Sequence, residues 1–178
     1  METEPIEILL VEDSEADVKL ALHALRAEQL TARIHVARDG EEALEVLVKC
    51  ASNAIKEHEP VPKLILLDLK LPKVDGLELL QRIKESPATR MIPVVILTSS
   101  SDEEDMCKCY LHGANSYIQK PLDYDSFRKI VKDLCAYWLV LNQMPTSVVP
   151  PSSRVIEWRG PASQTQPKNE EPIRQSSK

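Results

Sequence analysis

No apolar run in the chain approaches the roughly 18 to 20 residues that a bilayer span requires, and Met1 to Ile6 carry acids where a secretory leader carries Lys or Arg. Both absences point to a cytoplasmic protein with no membrane partner. The four cysteines (Cys50, Cys107, Cys109, Cys135) lack C-x-x-C spacing and the four histidines (His23, His35, His58, His112) are scattered, so neither a disulfide framework nor a zinc site is indicated. The thiols read as ordinary reduced side chains. Basic charge is also short: 22 Lys and Arg face 28 Asp and Glu, a net charge of -6. The electrostatic footprint of a nucleic-acid binder is therefore missing.

What is present suits one globular domain, with 43% hydrophobic and 28% charged residues in 178. From Pro145 the composition changes. Residues 145–178 hold 6 of the 13 prolines, many Ser and Gln, and only scattered apolar residues such as Val148, Val149, Ile156 and Trp158. Such a stretch cannot bury a core and is expected to be a disordered tail. It carries 5 basic and 3 acidic residues, which leaves 17 basic against 25 acidic, net -8, on residues 1–144. The acidity belongs to the folded part.

Within residues 1–144, short apolar runs alternate with segments of helical period and recur about every 25 to 30 residues, the pattern of a βα repeat. The runs are Ile6 to Val11, a weak one from Arg33 to Ala37, Leu64 to Leu67, Val94 to Leu97, and the short Ser116-Tyr117-Ile118. Strands apolar on both faces are parallel and covered by helices on each side. The intervening segments carry apolar stripes, for example Val18, Leu22 and Leu25, or Leu77, Leu80 and Ile83. Their starts are marked by Ser14, Asp39-Gly40, Asp75-Gly76, Ser101-Asp102 and Asp123. The expected fold is α/β, an open doubly wound five-stranded parallel sheet with right-handed crossovers.

Ligand sites in such sheets lie beyond the carboxyl ends of the strands. The residues there are polar: Glu12 and Asp13 after the first run, Asp68 after the third, Thr98 with Ser99 and Ser100 after the fourth, and Lys120 before Pro121 after the fifth. Converging carboxylates repel one another unless a cation neutralises them, and oxygen ligands of this kind suit octahedral Mg2+. An ammonium and a hydroxyl opposite the metal complete a cradle for the equatorial oxygens of a transferring phosphoryl group. Singly, each acid is explained as a helix cap and Lys120 as a solvated charge. Five strand ends that all supply the needs of one reaction are not explained by capping.

These residues resemble the receiver domains of two-component response regulators over about residues 5 to 142. The likeness rests on Ile8-Leu9-Leu10-Val11-Glu12-Asp13, on Leu66-Leu67-Asp68-Leu69-Lys70-Leu71-Pro72 followed by Asp75-Gly76, on Pro93 to Thr98, and on Gly113 to Pro121. The resemblance implies the flavodoxin-like (βα)5 fold with strand order 2-1-3-4-5. It implies Asp68 as phosphoacceptor from a sensor histidine kinase, and Asp13, Asp68 and the backbone carbonyl of Lys70 as Mg2+ ligands, with Glu12 acting through a water. Lys120 would hold the phosphoryl oxygens, with Pro121 behind a cis peptide, and Thr98 and Tyr117 would form a switch pair. Lys70 and Ser100 would border the path of the hydrolytic water and so influence the acyl phosphate's lifetime. Within that family the sequence resembles the small single-domain regulators of cyanobacterial and bacterial phytochromes, through Glu12 to Asp17, the longer segment from Ser52 to Lys63, Tyr110 to Asn115 and the aromatic end of the last helix. That likeness implies a light-sensing kinase as partner.

No effector domain is expected after the receiver, so output must pass to a protein partner, with the face of the fourth helix, fifth strand and fifth helix as readout. The last helix, Asp123 to about Asn142, begins with a stripe of Phe127, Ile130, Val131 and Leu134 and turns apolar nearly all round from Ala136 to Leu141. An exposed patch there marks an interface, read as a homodimer through Tyr137 to Leu141 or a dock for another protein. Cys107, Cys109 and Tyr110 read as packing residues. Two rival functions stand beside this one: a receiver-like binding module that is never phosphorylated, and a haloacid-dehalogenase-type phosphohydrolase. The second needs an acid two residues after its nucleophile, where this chain has Lys70. A signalling protein rather than an enzyme is the reading.

Overall fold

A computed structural model of the chain describes residues 6–27, 32–56 and 61–144. The expected tail, 145–178, and part of the segment before the third strand lie outside the described residues. In chain order the elements are β1 (Ile8–Val11), α1 (Glu15–Ala27), β2 (Ile34–Ala37), α2 (Gly40–Lys56), β3 (Leu64–Leu67), α3 (Gly76–Glu85), β4 (Val94–Thr98), α4 (Glu103–Leu111), β5 (Ser116–Gln119) and α5 (Tyr124–Cys135). All strand pairs are parallel and the order is β2-β1-β3-β4-β5.

Alternation along the central strands builds two cores, because successive side chains of a strand point to opposite faces. Leu9, Val11, Ile65, Leu67, Val94 and Ile96 meet Ala43 and Leu47 of α2 and Leu79, Leu80 and Ile83 of α3. Ile8, Leu10, Leu64, Leu66, Val95 and Leu97 meet Val18, Ala21 and Leu25 of α1 and Phe127, Val131 and Leu134 of α5. Strands β1, β3 and β4 are buried along their whole length, whereas β2 and β5, at the edges, are half-covered. This explains why the second and fifth apolar runs are weak.

Helix starts follow the short polar residues that precede them. Asp39, Asp75, Asp102 and Asp123 each accept an N–H from the first turn of α2, α3, α4 and α5, at 2.8 to 2.9 Å. Ser14 Oγ accepts the Asp17 N–H at 3.3 Å in the same way for α1. The end of the last helix departs from expectation. Regular α5 stops at Cys135 and the backbone widens into a π-helical stretch over Ala136–Leu141, closed by Asn142 N–H donating to the Tyr137 carbonyl at 2.7 Å. The wider turn lets Trp138 and Leu139 pack on the α1/α5 core while Tyr137, Val140 and Leu141 stay exposed. On α4 only Cys109 is buried; Cys107 and Tyr110, read as packing residues, face solvent because the short helix lies against the sheet by one narrow edge. None of the four cysteines is in a disulfide among the described residues. No helix among the described residues is long and apolar enough to cross a membrane.

Candidate functional site

Because every strand runs the same way, the residues after β1, β3, β4 and β5 gather at one edge of the sheet. Glu12 is 4% exposed and Asp68 6%, while Asp13 is open to solvent. One carboxylate oxygen from each lies within 4.8 Å of the other two. Asp68 Oδ1 accepts the Leu69 N–H at 2.7 Å and, weakly, the Lys70 N–H at 3.5 Å, which restrains rotation of the carboxylate. Directly behind it, Gly76 N–H donates to the Leu69 carbonyl at 2.9 Å, and a Cβ on Gly76 would stand 2.3 Å from the Asp68 carbonyl oxygen. Only glycine permits α3 to start so near the acceptor strand.

Lys120 enters from β5, its N–H held by the Thr98 carbonyl at 2.7 Å. Its Nζ donates to Glu12 Oε2 at 2.5 Å, Asp17 Oδ2 at 2.8 Å and Asp68 Oδ2 at 3.2 Å. Burial raises the Glu12 pKa, to about 7, against the hydrogen bond and charge of Lys120; the charges of Asp68 and Asp17 push the same way as burial. For Lys120, burial works to lower the pKa, but hydrogen bonds to Asp17 and Glu12 and the charges of Asp68 and Glu12 prevail and hold it above its ordinary value. Three carboxylates thus meet one ammonium, and Asp13 stands beside two of them. This surplus of hard oxygen donors fits a divalent cation beside Glu12, Asp13 and Asp68.

Thr98 is fully buried and makes no hydrogen bond to the carboxylates; its Oγ1 accepts the Ser100 N–H at 3.3 Å. Tyr117, half-buried against the α2/α3 core, donates its O–H to the Ser100 carbonyl at 3.1 Å. Ser100 Oγ in turn donates to Asp105 Oδ2 at 2.9 Å on α4. Ser100 therefore joins the two residues read as a switch pair and ties them to α4, a part the sequence reading did not give it. Asp17 is a second site residue that sequence reasoning misses. The available signal was its place in the first turn of α1, two residues past the helix start and next to the acidic strand end. Lys70 is exposed, two residues beyond Asp68 as expected. The Lys120–Pro121 peptide, expected cis, is trans, since no peptide among the described residues is cis. A proline amide prefers trans by only about 0.5 to 1 kcal/mol, so packing rather than sequence selects the isomer.

Known proteins are similar to this chain in sequence and fold. The family model described as response regulator receiver domain matches residues 8–132. The probable methanogenesis regulatory protein FilR2 of Methanothrix harundinacea is 40% identical over 146 residues, covering 80% of this chain and 89% of that one. Response regulator Rcp1 of Synechocystis is 38% identical over 143 residues, 80% of this chain and 95% of that protein. A crystal structure of the Mn2+-bound form of Rcp1 superposes with a TM-score of 0.69 at 38% identity, covering 79% of this chain and 99% of the other. The phosphorylated cyanobacterial phytochrome response regulator RcpA gives 0.70 at 37% identity, with the same coverage.

Proposed function

Because the chain belongs to the response regulator receiver family, a family of signalling modules that bind a divalent cation and take a phosphoryl group from histidine kinases, we propose that Asp68 is its phosphoacceptor. One Asp68 carboxylate oxygen forms the new bond to phosphorus as the bond to the kinase histidine nitrogen breaks. The observation that carries this is the convergence of Glu12, Asp13, Asp68 and Lys120 from three strand ends. In this reading Asp13, Asp68 and the Lys70 carbonyl hold Mg2+, with Glu12 acting through a water. Held there, Mg2+ would supply positive charge against the carboxylate surplus as a phosphoryl dianion approaches. Lys120 holds the phosphoryl oxygens, and Leu69 N–H keeps Asp68 aimed.

Thr98 and Tyr117 convert the new charge into shape. The Thr98 hydroxyl leaves the Ser100 N–H for the phosphoryl oxygen, and Tyr117 leaves the Ser100 carbonyl and turns into the space vacated. Both bonds end on Ser100, so one loop movement releases both. Residues 1–144 form the receiver and 145–178 an appended tail. The kinase is a phytochrome, a reading supported by the likeness to RcpA, and the protein works beside it in the cytoplasm. The signal leaves through α4, β5 and α5 to a protein partner or a second copy, supported by the exposure of Tyr137, Val140 and Leu141.

The test is to mix the protein with Mg2+ and acetyl phosphate and follow the adduct by intact mass, alongside Asp68→Asn. Stoichiometric labelling that disappears in the variant is expected. Multiple turnover of small phosphate esters would assign a hydrolase instead, and no adduct in either protein would leave a binding module.

A further inference from the structure

Asp17 is the fourth carboxylate at the site, and it takes no part in holding the cation or the phosphoryl group. It lies in the first turn of α1, and its Oδ2 sits 2.8 Å from Lys120 Nζ, nearer than the 3.2 Å of Asp68. An ammonium has three N–H donors and no more. All three are engaged here, by Glu12, Asp17 and Asp68. Lys120 can therefore grip a phosphoryl oxygen only by releasing one of them.

The three are not equally easy to release. The Glu12 side chain is 5% exposed, and freeing it would strand a buried charge. Asp68 draws the ammonium toward the atom that the phosphoryl group joins, so keeping that contact aids the transfer. Asp17 is 40% exposed against 11% for Lys120, so its carboxylate returns to water when let go. We propose that Asp17 is a positioning residue that draws Lys120 toward α1 in the unphosphorylated protein and yields it to the phosphoryl oxygen. The proposal rests on Asp68 as acceptor. Asp17 then opposes anion binding twice, by occupying Lys120 and by its own charge. It aids cation binding for the same two reasons.

Asp17→Asn removes the charge with little change of shape, and Asp17→Glu retains it. Beryllofluoride, a tetrahedral stand-in for the phosphoryl group, is titrated by 19F NMR at saturating Mg2+; Mg2+ alone is titrated by calorimetry, both on the full chain. In Asp17→Asn, beryllofluoride should bind roughly threefold tighter and Mg2+ roughly threefold weaker, the size of one charge acting across several ångströms of partly hydrated protein. Asp17→Glu should keep both constants near the wild type. An acid that merely favours the start of α1 would change the melting temperature and move neither constant. Unchanged constants, or two that shift in the same direction, overturn the role of Asp17. Absence of beryllofluoride binding to the wild type, or binding that survives Asp68→Asn, overturns instead the assignment of Asp68 and this proposal with it.

Discussion

Lys120→Met tests how the site is held together, because it removes the shared ammonium and keeps most of the apolar stem. Two of the three ion pairs are nearly buried: the Glu12 and Asp68 side chains are 5% and 8% exposed. The third, to Asp17 at 40%, is screened by water and counts for little. Breaking a buried pair from one side costs about 3 to 5 kcal/mol, and here the lower figure applies because exposed Asp13 leaves the cluster an open side. A loss of about 3 kcal/mol lowers the melting temperature by roughly 6 to 12 °C in a domain of this size. A divalent cation should restore part of it. At one hundred times its dissociation constant a ligand adds about 2.7 kcal/mol to any native state that binds it. Loss of the adjacent positive charge tightens cation binding on the order of tenfold, a further ~1.4 kcal/mol at the same free Mg2+. Urea unfolding of both proteins in EDTA and in Mg2+ measures each quantity. Equal stability in EDTA, or Mg2+ that stabilises the variant no more than the wild type, would refute the reasoning.

Two further outcomes follow from other parts of the structure. Gly76→Ala would place a Cβ 2.3 Å from the Asp68 carbonyl oxygen and 2.6 Å from the Leu69 Cα, both backbone atoms. We expect a loss of about 2 to 3 kcal/mol in urea unfolding and labelling by acetyl phosphate slowed roughly tenfold or more, because the acceptor itself must move; an unaffected labelling rate would contradict this. Lys84 donates to the Ile92 carbonyl at 2.8 Å, the Arg90 carbonyl at 3.3 Å and Asn115 Oδ1 at 3.1 Å, and burial lowers its pKa from 10.5 to about 8. The folded state binds this proton less well than the unfolded one, so a penalty present below pH 8 is relieved as pH rises from about 8 to 10.5. Allowing for its partial exposure, the stability of the wild type relative to Lys84→Met should rise by about 1 to 2 kcal/mol over that window; a flat or falling difference would refute it.

Local pattern was enough for the layers and for the edge at which chemistry could occur. Runs such as Leu64 to Leu67 can be buried on both faces only between helices, and in a parallel sheet the polar residues that follow them must share one edge. The caps Asp39, Asp75, Asp102 and Asp123 act within three residues of themselves, so spacing alone reveals them. Three features depended on the assembled molecule. The end of α5 widens into a π-helical stretch where Trp138 and Leu139 reach the core, and the Lys120–Pro121 bond is trans where cis and trans differ by little locally. The third is the set of partners around Lys120, which lie 108, 103 and 52 residues away along the chain. Residue type and spacing can say that an ammonium stands at the sheet edge. Which carboxylates accept hydrogen bonds from its three N–H donors is decided by how β1, β3 and α1 pack around it, because a hydrogen bond depends on tenths of an ångström that no sequence interval encodes.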